Sequence, residues 1–167
     1  MLSALHAEFQ KAHRRHDLAI CLVVPVVVFL WTGRLTSTDP EELANAYSAL
    51  LYALPVLNAI LMPVVMALLA SRLWDIEVKG STTKLLYTLQ SRRSLFAAKA
   101  AFGIGEVVLM VALEMGAAVL LGRTQHYTEA LPVGQLFYLG GCTLAVDVML
   151  YLSELLMMLA WENPLPA

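Results

Sequence analysis

Four carboxylates, Glu106, Glu114, Asp147 and Glu154, stand inside otherwise apolar stretches, and they are the residues here most able to do chemistry. A charge at a bilayer centre costs at least about 2.5 kcal/mol, so such acids face a bundle interior or an aqueous path. There they line a route for a cationic substrate or relay protons. The structural alternative is that they lie near helix ends or hydrogen-bond across helices. Seven helical steps place Asp147 and Glu154 within about 20° of each other on one face, whereas eight steps set Glu106 and Glu114 about 80° apart. The apolar stretches are read as holding no Lys or Arg to neutralise them, so buried acids need a proton or a partner chain.

The second notable set lies between basic residues. Ser81 can cap a short helix in which Leu85, Leu86 and Leu89 form an apolar stripe beside Thr82, Thr83 and Lys84. Such a helix is suited to a groove on a soluble partner. The same stripe and basic fringe equally suit a helix on lipid headgroups, and pattern does not separate the two.

No catalytic constellation is present. Gly103-Ile-Gly105-Glu106 is too short for a phosphate loop, and neither a nucleophile elbow nor a zinc-protease motif occurs. His13, His16 and Asp17 form a solvated juxtamembrane cluster rather than a metal site, with no fourth ligand near in sequence. Cys21 and Cys142 lack metal-ligand or redox spacing and read as small packing residues. The expectation is therefore no enzyme, no cofactor and no metal.

These residues must be positioned by membrane-spanning helices. Of 167 residues 59% are hydrophobic and 14% charged, where soluble domains carry about a quarter charged. A net charge of −2 leaves no basic face for a nucleic acid. Leu2, Leu5, Phe9 and Ala12 recur at helical spacing beside Lys11, Arg14 and Arg15, which predicts an amphipathic interfacial helix over residues 1–17. The run from Leu18 to Trp31 has no small-x-small cleavage pattern after it and reads as a retained first span with Arg34 snorkelling.

The expected fold is all-α. A transmembrane domain fills residues 18–167, with spans near 18–35, 44–70, 96–121 and 134–161 and a polar loop over 72–95. Pro55 and Pro63 lie within the second span, which membrane helices tolerate. Ala97, Ala101 and Gly105, and likewise Gly141 and Ala145, repeat every four residues as small ridges for close helix contact, within the chain or with another subunit. The N-terminal stretch holds three Lys or Arg and the 72–99 region six, against one each in the other two loops. That bias places both termini and the middle loop in the cytoplasm.

Three stretches resemble the permease subunits of ABC-2-type exporters, and within them the lantibiotic-immunity permeases. They are Leu5-His6-Ala7-Glu8-Phe9-Gln10-Lys11 with Arg14-Arg15; Leu57-Asn58-Ala59-Ile60-Leu61-Met62-Pro63 leading into Ser71-Arg72-Leu73-Trp74-Asp75-Ile76-Glu77; and Gly80-Ser81-Thr82-Thr83-Lys84-Leu85-Leu86 continuing to Ser91-Arg92-Arg93-Ser94 and Lys99. The resemblance covers roughly residues 1–122, and beyond that it is mostly hydropathy.

It implies a multi-pass protein of the bacterial cytoplasmic membrane, surrounded by lipid and working with a cytoplasmic ABC ATPase subunit and a second permease subunit. It further implies that Ser81, Thr82, Thr83, Lys84, Leu85, Leu86 and Leu89 contact that ATPase. The implied cargo is a cationic antimicrobial peptide, exported for self-immunity or resistance. The family's membrane unit usually has six spans, and the four read here imply a partial product or a subunit completed by a partner. The alternative function is a small ion- or proton-coupled transporter working through Glu106, Glu114, Asp147 and Glu154.

Overall fold

A computed structural model describes residues 17–35, 39–79 and 92–161. Among these described residues there are five helices: α1 (Asp17–Leu35), α2 (Pro40–Leu43), α3 (Ala46–Lys79), α4 (Arg92–Thr124) and α5 (Val133–Trp161). No strand occurs among the described residues, and the all-helical architecture matches the expectation. The interfacial helix expected before Asp17, the short helix capped by Ser81 and the tail after Trp161 lie outside the described residues.

Membrane helices form from these segments because a long apolar run leaves backbone polar groups no partner but one another. Three helices are long and apolar enough to cross a bilayer, over Ala46–Leu73, Phe96–Thr124 and Val133–Met158. The fourth apolar stretch, Ala19–Gly33 within α1, is shorter than the others. Pro25, Pro55 and Pro63 all fall inside helices. Ser71 and Ser153 satisfy their hydroxyls by donating to the carbonyls of Leu68 and Leu150, at 3.0 and 2.7 Å.

Helix α3 continues to Lys79 and α4 begins at Arg92, so helix occupies both ends of the polar 72–95 stretch. At 34 and 33 residues, these helices are roughly 50 Å long and extend well beyond a hydrocarbon core of about 30 Å. The second span is also preceded by a separate turn of helix. Pro40 starts α2, and Ala44 and Asn45 form a turn before α3.

Helix α1 lies along α4, α3 lies along α5, and α4 packs on α5 to join the pairs. On α3 the buried stripe runs Leu54, Asn58, Met62, Met66, Leu69, Leu73 at spacings of three and four. The opposite face, Tyr52, Val56, Ile60, Val64 and Leu68, is exposed yet apolar as well. A helix apolar on all sides belongs in lipid or against other membrane helices.

At the glycines of the expected small-residue ridges, no other described helix of the chain approaches closely. A Cβ added at Gly105 or Gly141 would meet nothing within 4 Å. The close approaches occur at glycines outside those ridges: Gly103 lies under the Tyr151 ring and Gly122 under the Tyr47 ring. Helix phase alone does not say which small residue has an aromatic partner on another helix.

One end of the bundle is braced by the α4–α5 loop. Glu129 accepts from the Ser48 hydroxyl at 2.6 Å and from the Ser48 backbone N–H at 3.0 Å. A carboxylate there satisfies donors left open in the first turn of α3 and complements the helix dipole. The Ser48 hydroxyl, together with the N–H groups of Ser48 and Tyr47, holds the Glu129 carboxyl below its ordinary 4.5. Tyr47 and Tyr127 meet edge to face with ring centres 5.0 Å apart. His126 adopts a left-handed φ of 55° where α4 ends, and the Tyr127 N–H donates back to the Gly122 carbonyl at 3.0 Å.

Candidate functional site

Of the four acids singled out, the structure brings two together. Glu114 on α4 is fully buried, Asp147 on α5 is 1% exposed, and their carboxyls are close enough to repel each other. Asn58 on α3, 7% exposed, completes the cluster from the third helix. Its amide is turned toward Glu114 and interacts with it, yet neither amide atom completes a hydrogen bond. Both Glu114 oxygens and Asp147 Oδ2 are likewise buried without a hydrogen-bond partner.

The other two acids are elsewhere. Glu106 is buried on α4 close to α1, where the Cys21 thiol donates to the Glu106 backbone carbonyl at 3.8 Å. Glu154 shares the helical phase of Asp147, but seven residues move it about 10 Å along the axis, and there it is only half-buried. Phase therefore placed the pair on one face without placing both at the cluster.

Asn58, Thr143 and Asp147 form the polar side of a cavity of about 340 Å³ between α3 and α5. Pro55, Ala59, Met62, Val146 and Leu150 supply apolar walls, and Cys142 stands at the edge. The unpaired amide and carboxyl atoms make this cavity able to hold a donor-bearing or cationic group. A larger cavity of about 530 Å³ lies beside α2 and the start of α3, with Glu41 and Glu42 in its wall. It is remote from the buried acids, and its Asn45 amide already donates to the Glu41 carbonyl at 3.3 Å.

A third buried polar arrangement corrects the expectation that the apolar stretches hold no cation. Lys99 lies inside α4, fully buried, and its ammonium donates to the Leu73 carbonyl of α3. The Tyr151 hydroxyl of α5 donates to the Lys99 backbone carbonyl at 3.0 Å. Lys99 thus ties three helices together near the point where α3 and α4 leave the membrane-length segment. In sequence it closes a basic fringe and groups with the loop, although Phe96, Ala97 and Ala98 already begin the apolar run.

A family model described as ABC-2 family transporter protein matches the chain over residues 4–164. The chain belongs to the ABC-2 transporter family. The match runs through α5, well beyond the stretch near residue 122 where the sequence resemblance faded. No curated protein and no solved structure matches the chain.

Membership makes the chain an ABC transporter permease, a multi-pass membrane component whose family associates with an ABC ATPase subunit. ABC-2 permeases are generally non-catalytic components. Among the described residues, no three of His, Cys, Asp and Glu converge as a metal site. Sequence reasoning missed Asn58 and Thr143 as members of the buried cluster. The available signal for Asn58 was a lone amide between Pro55 and Pro63 in a long apolar run.

Proposed function

We propose that the chain is the membrane subunit of an exporter for cationic antimicrobial peptides, of the lantibiotic-immunity kind, in a bacterial cytoplasmic membrane. A separate ATPase hydrolyses ATP and pushes on the segment containing Ser81, Thr82, Thr83, Lys84, Leu85, Leu86 and Leu89. That segment lies outside the described residues, and α3 and α4 carry the chain to and from it. In this reading α1 is a fourth crossing, both termini are cytoplasmic, and a second permease subunit completes the pathway.

The observation that carries the cargo reading is the buried Glu114–Asp147 pair, with Asp147 and Asn58 facing a cavity between two membrane helices. Two buried acids without bonded cations suit a positively charged passenger. Glu106 and Glu154, at other depths on α4 and α5, extend the acidic lining in the same proposal. The alternative, an ATP-independent ion- or proton-coupled carrier, draws on the same acids, and ABC-2 membership favours the first reading.

The test is affinity purification of the tagged chain from mild detergent, with and without Lys84→Glu. Recovery of an ATPase with the native chain, and its loss in the variant while membrane insertion persists, supports the exporter. An ATPase that co-purifies equally well with the variant refutes the assigned docking segment. Peptide resistance unaffected by the paired Glu114→Gln and Asp147→Asn changes refutes the cargo reading.

A further inference from the structure

The cavity between α3 and α5 has unsatisfied chemistry at one side and hydrocarbon at the other. Asn58 and Asp147 line it and Glu114 lies behind them. Asn58 Oδ1 and Nδ2, Glu114 Oε1 and Oε2, and Asp147 Oδ2 are buried with no complete hydrogen bond, although the Asn58 amide turns toward Glu114. Leaving one such group unpaired costs about 1–3 kcal/mol, and more for a charge. Four of the five atoms are oxygens, so the partner they lack is chiefly a donor. Two side chains are carboxyls, so a cationic donor also offsets their mutual repulsion.

The walls restrict the ligand further. Pro55, Ala59, Met62, Val146 and Leu150 offer nothing to a hydrated ion but fit an alkyl chain. A volume of about 340 Å³ is several times the roughly 30 Å³ share of one water. Two carboxyls also fall short of the six to eight oxygens a calcium ion takes. An ammonium has three donors and no acceptor, which matches the orphaned oxygens.

We propose that Asn58, Glu114, Thr143 and Asp147 form a binding site for a primary alkylammonium, the chemistry of a lysine side chain. The ammonium meets Asp147 and the Asn58 carbonyl at the polar side, with Glu114 behind them, and the alkyl stem lies along the apolar wall. This deepens the cationic-cargo reading, but it rests on the cavity and its orphaned atoms. It stands if no ATPase is recovered, and it can fail while ATPase recruitment holds.

Cys142 lines the same cavity and is exposed, whereas Cys21 is buried, so alkylation of Cys142 reports occupancy. The rate of its modification by N-ethylmaleimide is measured by mass spectrometry on the full chain in phosphatidylglycerol nanodiscs. Butylammonium chloride at ten times its dissociation constant slows the reaction about tenfold by mass action. Tetramethylammonium chloride, which lacks N–H donors, and neutral n-butanol leave the rate unchanged. Asp147→Asn and Glu114→Gln abolish protection, and Tyr52→Phe on the exposed face of α3 retains it.

Equal rates with butylammonium and tetramethylammonium in the native chain overturn the site, a comparison that needs no variant to fold. Protection that survives both substitutions overturns the residue assignment. Phosphatidylethanolamine nanodiscs separate the sources of the amine. Protection there without added butylammonium, lost in Asp147→Asn, supports the site with a lipid headgroup as its occupant. Protection that requires butylammonium in both lipids supports a peptide lysine.

Discussion

Gly103→Ala tests the packing that holds α4 against α5. A Cβ at Gly103 would overlap the ring of Tyr151, touching its hydroxyl, Cζ and Cε1. The ring is fully buried and its hydroxyl is held by the Lys99 carbonyl at 3.0 Å, so it cannot swing aside freely. Overpacking of this kind costs about 1–3 kcal/mol. Losing the tyrosine hydrogen bond adds about 0.5–1.5 kcal/mol, and replacing a mid-helix glycine by alanine returns up to about 1 kcal/mol.

With the full return of about 1 kcal/mol, the net expectation is a loss of about 0.5–3.5 kcal/mol, roughly twofold to four-hundredfold in the unfolding equilibrium. Reversible unfolding in mixed micelles, followed by tryptophan fluorescence, measures it. Gly105→Ala is the internal control: two residues away on the same helix, its added Cβ meets nothing within 4 Å. That change is neutral or stabilising by up to about 1 kcal/mol. In a Tyr151→Ala background the Gly103→Ala penalty disappears, because the two changes share one contact. Equal effects of Gly103→Ala and Gly105→Ala, or a penalty that persists without the ring, would refute the reasoning.

Three further outcomes are expected. Tyr151→Phe keeps the ring but removes the bond to the Lys99 carbonyl, lowering stability by about 0.5–1.5 kcal/mol in the same unfolding assay. Glu129→Gln weakens the brace on α3 by about 0.5–1 kcal/mol, a value restrained because the carboxyl is only partly buried. Because Ser48 holds the native Glu129 carboxyl below 4.5, the unfolded chain binds its proton more readily. The contribution is therefore complete above about pH 4.5 and fades below it. An acid titration of stability should show a steeper loss for the native chain than for Glu129→Gln, and parallel curves would discount the brace. His126→Gly relieves a left-handed residue and raises thermal stability, by no more than about 1 kcal/mol after the added freedom of the unfolded chain.

What was legible in the sequence is what depends on one helix at a time. Apolar runs such as Ala46–Leu73 exceed the length of a bilayer crossing, so the three long helices follow from composition and the hydrogen-bonding demands of the backbone. Depth and partner were not legible, because both are set between helices. Asp147 and Glu154 share a phase on α5, yet only Asp147 meets Glu114, a residue 33 positions earlier on α4. Ala97, Ala101 and Gly105 form the regular ridge, but Gly103 receives Tyr151, 48 positions away. Lys99 groups with the basic loop by spacing and with the core by packing. The buried polar atoms carry the same lesson with a direction. Lys99 was given a carbonyl and a tyrosine to hold it in place, whereas Asn58, Glu114 and Asp147 were gathered from three helices and left with unpaired atoms. A group buried for stability is ordinarily satisfied within the chain. Lys99 behaves as a structural tie by that standard, and the Asn58 cluster as a site whose partner comes from outside it.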